Sequence, residues 1–187
     1  SIGKSLVTNE MAILNEKNEE VGENIEGEIC IRGYNVANGY LGDLEKNRPF
    51  RDGWFHSGDY GRKDSDENFY FHGRQDSLII KGGENIYPAE IENILYSHPD
   101  IEECAVIGIP HKLLGEDICS FIKIKNKSNL SENELKEFYK NKIADYKKPK
   151  KIIVINNLDD LPEIPKGPTK KILYRKLRDY YKKNFSD

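Results

Sequence analysis

Cysteine is scarce in this chain and poorly placed for chemistry. Cys30, Cys104 and Cys119 are odd in number and far apart, with no Cys-x-x-Cys or Cys-to-His ligand spacing. Neither a disulfide framework nor a metal centre is indicated, and a reducing, cytoplasmic setting is expected. No apolar run approaches the ~18 residues of a membrane span, and no basic-then-apolar leader precedes Ile2. Neither sign of charge dominates, since 29 basic side chains stand against 32 acidic ones for a net charge of −3. That balance argues for a soluble surface and against a general nucleic-acid binder. Internal repeats and low-complexity tracts are also missing. The chain starts at Ser1, without a methionine and in mid-pattern, so it is expected to be part of a longer protein.

What is present is unevenly spread. Residues 1–76 carry 9 basic and 15 acidic side chains, residues 77–187 carry 20 and 17, and the span from Lys147 to Lys183 holds 12 basic against 4 acidic. Such a run is either a solvated basic helix or a surface that meets phosphates. A chain of 187 residues can form one domain or two small ones, and the apolar pattern favours two. The first part alternates as half-buried strands do: Met11 to Leu14, a polar turn at Asn15 to Glu20, Val21, then Glu28 to Arg32. Asn38 to Asp43 reads as a loop before a short polar helix around Leu44 to Arg48. Asp52-Gly53 reads as a turn, and the runs Trp54 to His56 and Asn68 to Phe71 read as strands flanking a polar tip. Together they predict a small, distorted, barrel-like sheet.

The stretch GRQDSLIIKGGENIYPAEIE, from Gly73 to Glu92, joins the two parts. Leu78-Ile79-Ile80 predicts a buried strand, Gly82-Gly83 a loop free of side-chain constraint, and Pro88 the first turn of a helix. That helix should bury Ile91, Ile94 and Leu95 and stop before Pro99. Beyond it, helices and strands alternate as in a separate α/β lobe. Cys104 to Ile109, Ile118 to Ile122 and Ile152 to Ile155 read as core strands. Ser131 with Glu134 is a capping-box signature for a helix whose apolar face continues through Leu135, Phe138, Tyr139 and Ile143. A loop from Asp159 to Pro168 with three prolines precedes a last helix striped by Leu173, Leu177 and Tyr180 or Tyr181.

Four blocks carry a resemblance: EGEICIRGYNVANGYLGD from Glu26 to Asp43, RDGWFHSGDYGRKD from Arg51 to Asp64, the joining stretch, and IPKGPTKKILYRKLR from Ile164 to Arg178. In this order and spacing they resemble the C-terminal portion of the adenylate-forming (AMP-binding) superfamily, which includes acyl- and aryl-CoA synthetases. The resemblance covers nearly the whole chain. It implies an α+β fold: residues 1–75 as the last β-subdomain of a large lobe, and residues 76–187 as a mobile α/β lid lobe with its hinge at Asp76. It also implies an ATP-dependent ligase that activates a carboxylic acid as an acyl adenylate and passes it to coenzyme A. This stretch is expected to be inactive alone, because no Ser/Thr/Gly-rich phosphate loop and no YGxTE-like block occur in it. Any Mg2+ that accompanies ATP would then be held elsewhere.

The resemblance assigns roles residue by residue. Lys171 takes the place of the lysine that delivers positive charge to the adenylation step, suited to it as a compact charge on a long stem. The glycine usual before it is Lys170 here, which leaves the register between the two lysines open. Asp59, in HSGD, matches the acceptor of ribose hydroxyls, since a carboxylate offers two acceptor oxygens for vicinal hydroxyls. Arg74 matches the arginine of the same ribose and phosphate region. Asp76 matches the hinge and takes no chemical step. Gly82, Gly83 and Glu84 match the loop lining the pantetheine channel, with Lys81 near the phosphates of coenzyme A. Without the flanking patterns these residues read as an Asx turn, surface ion pairs and one more cation in a basic run. Alternatives are an amino-acid adenylation domain of a peptide synthetase, whose acceptor is a carrier protein, and a non-catalytic nucleotide- or CoA-binding module.

Overall fold

The computed structural model describes residues 1–42, 47–126 and 128–185. Most of the helix expected around Leu44 to Arg48 lies outside the described residues. Contacts divide the chain into two compact units, Ser1–Asp76 and Ser77–Asp187.

The first unit is a curled antiparallel sheet of β1 (Asn9–Leu14), β2 (Gly27–Gly33), β3 (Phe50–Arg51), β4 (Trp54–Lys63) and β5 (Phe69–Arg74). Its order is β1-β2-β4-β3, with β5 also on β4. Apolar side chains fill both faces. Ala12, Leu14 and Cys30 pack with Trp54 on one, while Ile13, Ile29 and Phe69 pack with Met11 and Val21 on the other. The turn at Asp52-Gly53 has φ of 53° and 79°, the left-handed pair that a two-residue hairpin needs.

Two details differ from the sequence reading. β1 pairs directly with β2, from Asn9 opposite Gly33 to Leu14 opposite Glu28, and the expected small hairpin shrinks to one Leu14–Glu20 bridge. Asn15 explains this, because its side-chain oxygen accepts the backbone N–H groups of Lys17 and Glu19 and closes the excursion as a local turn. β4 is one continuous strand of ten residues rather than a short aromatic strand and a loop.

In the second unit, β6 (Ile79–Lys81), β7 (Glu84–Ile86), β8 (Ile101–His111), β9 (Gly115–Ile124) and β10 (Lys151–Val154) form a mixed sheet. β8 and β9 make a long antiparallel hairpin, whereas β10 joins β9 in parallel. Helices α1 (Pro88–Tyr96) and α2 (Glu132–Tyr139) cover one face through Ile91, Leu95, Leu135 and Tyr139. α3 (Tyr174–Phe185) covers the other through Leu177 and Tyr181. Coverage on both sides is why β8 and β9 read as near-continuous apolar runs.

The start of α2 has the expected capping box: Glu134 N–H donates to Ser131 Oγ at 3.3 Å and Ser131 N–H to Glu134 Oε2 at 2.8 Å. The joining stretch departs from expectation. Gly82 and Gly83, at φ of 61° and 90°, turn the chain back from β6 into β7 before the helix begins. Of Leu78-Ile79-Ile80 only Ile79 is fully buried, since a strand with one covered face alternates and leaves Ile80 outside.

Candidate functional site

The pairing of β2 with β4 slips in the middle. Glu28 stands opposite Tyr60 and Cys30 opposite His56, so Ser57, Gly58 and Asp59 oppose Ile29 alone. The extra length forms a bulge, with Gly58 at φ of 73°. Three hydrogen bonds hold it: Ser57 Oγ donates to the Ile29 carbonyl at 2.6 Å, Asp59 N–H to Ser57 Oγ at 3.0 Å, and Gly58 N–H to Glu28 Oε1 at 2.9 Å. The bulge brings Asp59 to the end of the β4–β5 ladder opposite Arg74, whose guanidinium donates to Asp59 Oδ1 at 3.0 Å. Asp76 Oδ1 lies 3.4 Å from Arg74 Nε. Asp59, Arg74 and Asp76 thus share one charged corner of the first unit, open to solvent.

Beneath the bulge lies a buried network that the sequence did not announce. His56 Nδ1 lies 2.7 Å from Glu28 Oε2, and Cys30 Sγ sits 3.3 Å from the same nitrogen. Glu28, Cys30 and His56 have donor atoms within 4.8 Å of one another, a set that soft divalent ions favour. Positive charge is already supplied there by Arg51, whose guanidinium nitrogen is 2.9 Å from His56 Nδ1 and 3.6 Å from Glu28 Oε2. Burial, reinforced by the Glu28 charge, pushes the Cys30 thiol up to about 12. The thiol therefore keeps its proton and is no nucleophile. The arrangement is a hydrogen-bond support for the Ser57–Asp59 bulge. Glu28 escaped notice because, in an alternating strand, a carboxylate at every second position looks solvent-facing.

The remaining candidates belong to the second unit. Lys81, Gly82, Gly83 and Glu84 form the β6–β7 turn, and Gly82 N–H donates to the Leu114 carbonyl at 2.9 Å. Lys81 is not a free cation, for its Nζ lies 2.7 Å from Oδ1 of the buried Asp117. Lys171 sits on a separate narrow ribbon closed by the Lys166–Ile172 bridge. Gly167 N–H donates to the Lys171 carbonyl at 2.9 Å and Leu173 N–H to the Pro165 carbonyl at 2.8 Å. The turn of the ribbon puts Lys170 at φ of 61°. The position where glycine is usual is left-handed here too, at a cost of roughly 1–2 kcal/mol for a residue with a side chain. Lys171 itself is exposed.

Residues 90–171, ending on Lys171, match the AMP-binding enzyme C-terminal domain family. With the four blocks and the fold described above, the chain belongs to the adenylate-forming, AMP-binding superfamily. Among its relatives, an oxalate–CoA ligase of Arabidopsis thaliana is 38% identical over 97% of this chain and 34% of its own length. A 2-succinylbenzoate–CoA ligase of Geobacillus sp. (strain WCH70) is 38% identical over 98% of this chain and 36% of its own. In structure the chain resembles the o-succinylbenzoate CoA synthetase of Bacillus subtilis solved with its acyl-adenylate intermediate, with a TM-score of 0.86 and 33% identity over 95% of this chain and 35% of that one. The chain spans about a third of the length of the curated relatives it matches. No helix among the described residues is long and apolar enough to cross a membrane.

Proposed function

We propose that this chain provides the ribose-facing β-subdomain and the lid lobe of an ATP-dependent acyl-CoA ligase, the sort of enzyme its relatives are named as. The observation that carries the proposal is the bulge that sets Asp59 beside Arg74 at the solvent-open end of the β4–β5 ladder. A carboxylate so placed accepts from two vicinal ribose hydroxyls, and the guanidinium beside it holds that carboxylate in place and faces phosphate oxygens. ATP, when bound, supplies the adenylyl group that activates a carboxylic acid. Lys171 brings an ammonium to the α-phosphate as charge develops there. Asp76 serves as the hinge, and the Gly82-Gly83 turn with Glu84 lines the way for the pantetheine thiol of coenzyme A. Lys81 fits a phosphate-binding role poorly, because Asp117 already neutralises it. In this reading it fixes the turn instead.

The test uses the complete ligase that carries this sequence. Lys171→Ala is expected to lower acyl-adenylate formation, followed as ATP–pyrophosphate exchange, by about 100-fold or more, the usual cost of removing one preorganised charge donor. Thioester formation from supplied acyl adenylate should persist, and Lys170→Ala should do less. If Lys170→Ala is the damaging change, the catalytic lysine is Lys170.

A further inference from the structure

Lys171 works only if the ribbon beneath it is held, and few backbone bonds hold it. Three of the residues from Asp159 to Pro168 are prolines, which donate nothing. The upstream arm is tied by the buried side chain of Ile164 and by an exposed ion pair between Lys166 and Glu103, the latter a contact of small value in water. The downstream arm is tied differently. Tyr174, the first residue of α3 and three beyond Lys171, sends its hydroxyl inward to the carboxylate of Glu92 on α1, 3.0 Å from Oε1 and 3.1 Å from Oε2. The backbone N–H of Val106, on β8, completes the site by donating to Oε1 at 2.8 Å.

Glu92 is 8% exposed. Burial raises its pKa, opposed by the bonds from Val106 and Tyr174, and among the described residues no cation contributes to the balance. A buried carboxylate without a counter-charge depends strongly on each donor it has. Burial and the Glu92 charge also keep the Tyr174 hydroxyl protonated far above neutral pH, so it is a permanent donor. α1, β8 and α3 therefore meet at one carboxylate, and the residue that closes the junction adjoins the ribbon.

We infer that Tyr174 is a positioning residue for Lys171: its hydroxyl, seated on Glu92, fixes the downstream arm of the ribbon and so the base from which the ammonium reaches. The inference rests on the catalytic role proposed for Lys171 and adds a residue that never touches substrate. It accounts for a buried acid on a short surface helix, and for a tyrosine facing inward where a basic helix begins.

The experiment compares variants of the complete ligase in the two half-reactions. Tyr174→Phe removes one oxygen and keeps the packed ring. It is expected to slow pyrophosphate exchange about 10- to 100-fold, the order reached when a catalytic group is misplaced by about 1 Å. The KM values for ATP and acid, and thioester formation from supplied acyl adenylate, should stay unchanged. Glu92→Leu should show the same split, while Glu92→Gln, which still accepts from both donors, should restore exchange to within about threefold of the parent, as one retained neutral hydrogen bond allows. In a Lys171→Ala background, Tyr174→Phe should add no further loss. Wild-type exchange in Tyr174→Phe, alongside severe loss in Lys171→Ala, overturns the inference and leaves the proposed function standing. Equal loss of both half-reactions in Tyr174→Phe and Glu92→Leu also overturns it, as the mark of a merely structural contact. Undiminished exchange in Lys171→Ala overturns the proposed function and this inference together.

Discussion

Lys170 shows how a single residue departs from a pattern without breaking it. Its φ of 61° is the conformation a glycine adopts freely, so the ribbon keeps its shape and the side chain bears the strain. Lys170→Gly should relieve roughly 1–2 kcal/mol of strain and give back about 0.5–1 kcal/mol to the more flexible unfolded chain. The expected result is a net stabilisation of about 0.5 kcal/mol or slightly more, measured by urea unfolding of the 187-residue chain. A loss of stability would mean that the lysine side chain makes a compensating contact. At this scale the sequence singles out a residue where a motif names it, as for Asp59, Arg74 and Lys171, whose roles are those proposed above. It was mute where burial gives the residue its meaning. Glu28, His56 and Glu92 look like ordinary strand and helix residues until the bulge of β4 and the packing of α3 enclose them, and neither event has a local signature.

Among elements, α2 was the most legible because two independent signals agreed, the Ser131–Glu134 box and the apolar face below it. Ser131→Ala removes the acceptor of the Glu134 N–H and should cost about 1 kcal/mol, read as a lower urea midpoint with unchanged slope. The same substitution should leave the half-reactions of the complete ligase alone, because α2 lies on the sheet face opposite α3. The strands β6 and β7 were harder. Three residues each are too few to show an alternation, and the Gly82-Gly83 pair between them reads equally well as a loop into a helix and as a hairpin turn. β4 was split in the reading because its middle, Ser57 to Asp59, is polar and contains glycine. That composition belongs to the bulge, and the strand runs through it.

For the molecule as a whole, the sequence separated two regions by their change of rhythm, strands first and alternating helices and strands after. The contacts divide the chain after Asp76, within the 3-10 turn Gln75–Ser77. We propose that this turn is the pivot of the lid lobe. Asp76→Pro would fix φ near −65° and remove a backbone donor. In the complete ligase the two half-reactions should then respond unequally, one largely kept and the other lost. Equal loss with an unchanged circular dichroism spectrum would move the pivot elsewhere. A different consequence follows from the β8–β9 hairpin. Its strands are neighbours in sequence, joined by only Lys112 to Leu114, and its centre from Cys104 to Ile109 lies wholly inside. β10 must cross α2 before it finds β9, so its pairing closes a far longer loop. The order of assembly is thereby written into the connectivity. The hairpin is expected to zip first as the nucleus, with β10 and α3 added afterwards, and the amide protons of Ile107 and Cys119 should be the last in the lobe to exchange with solvent deuterium.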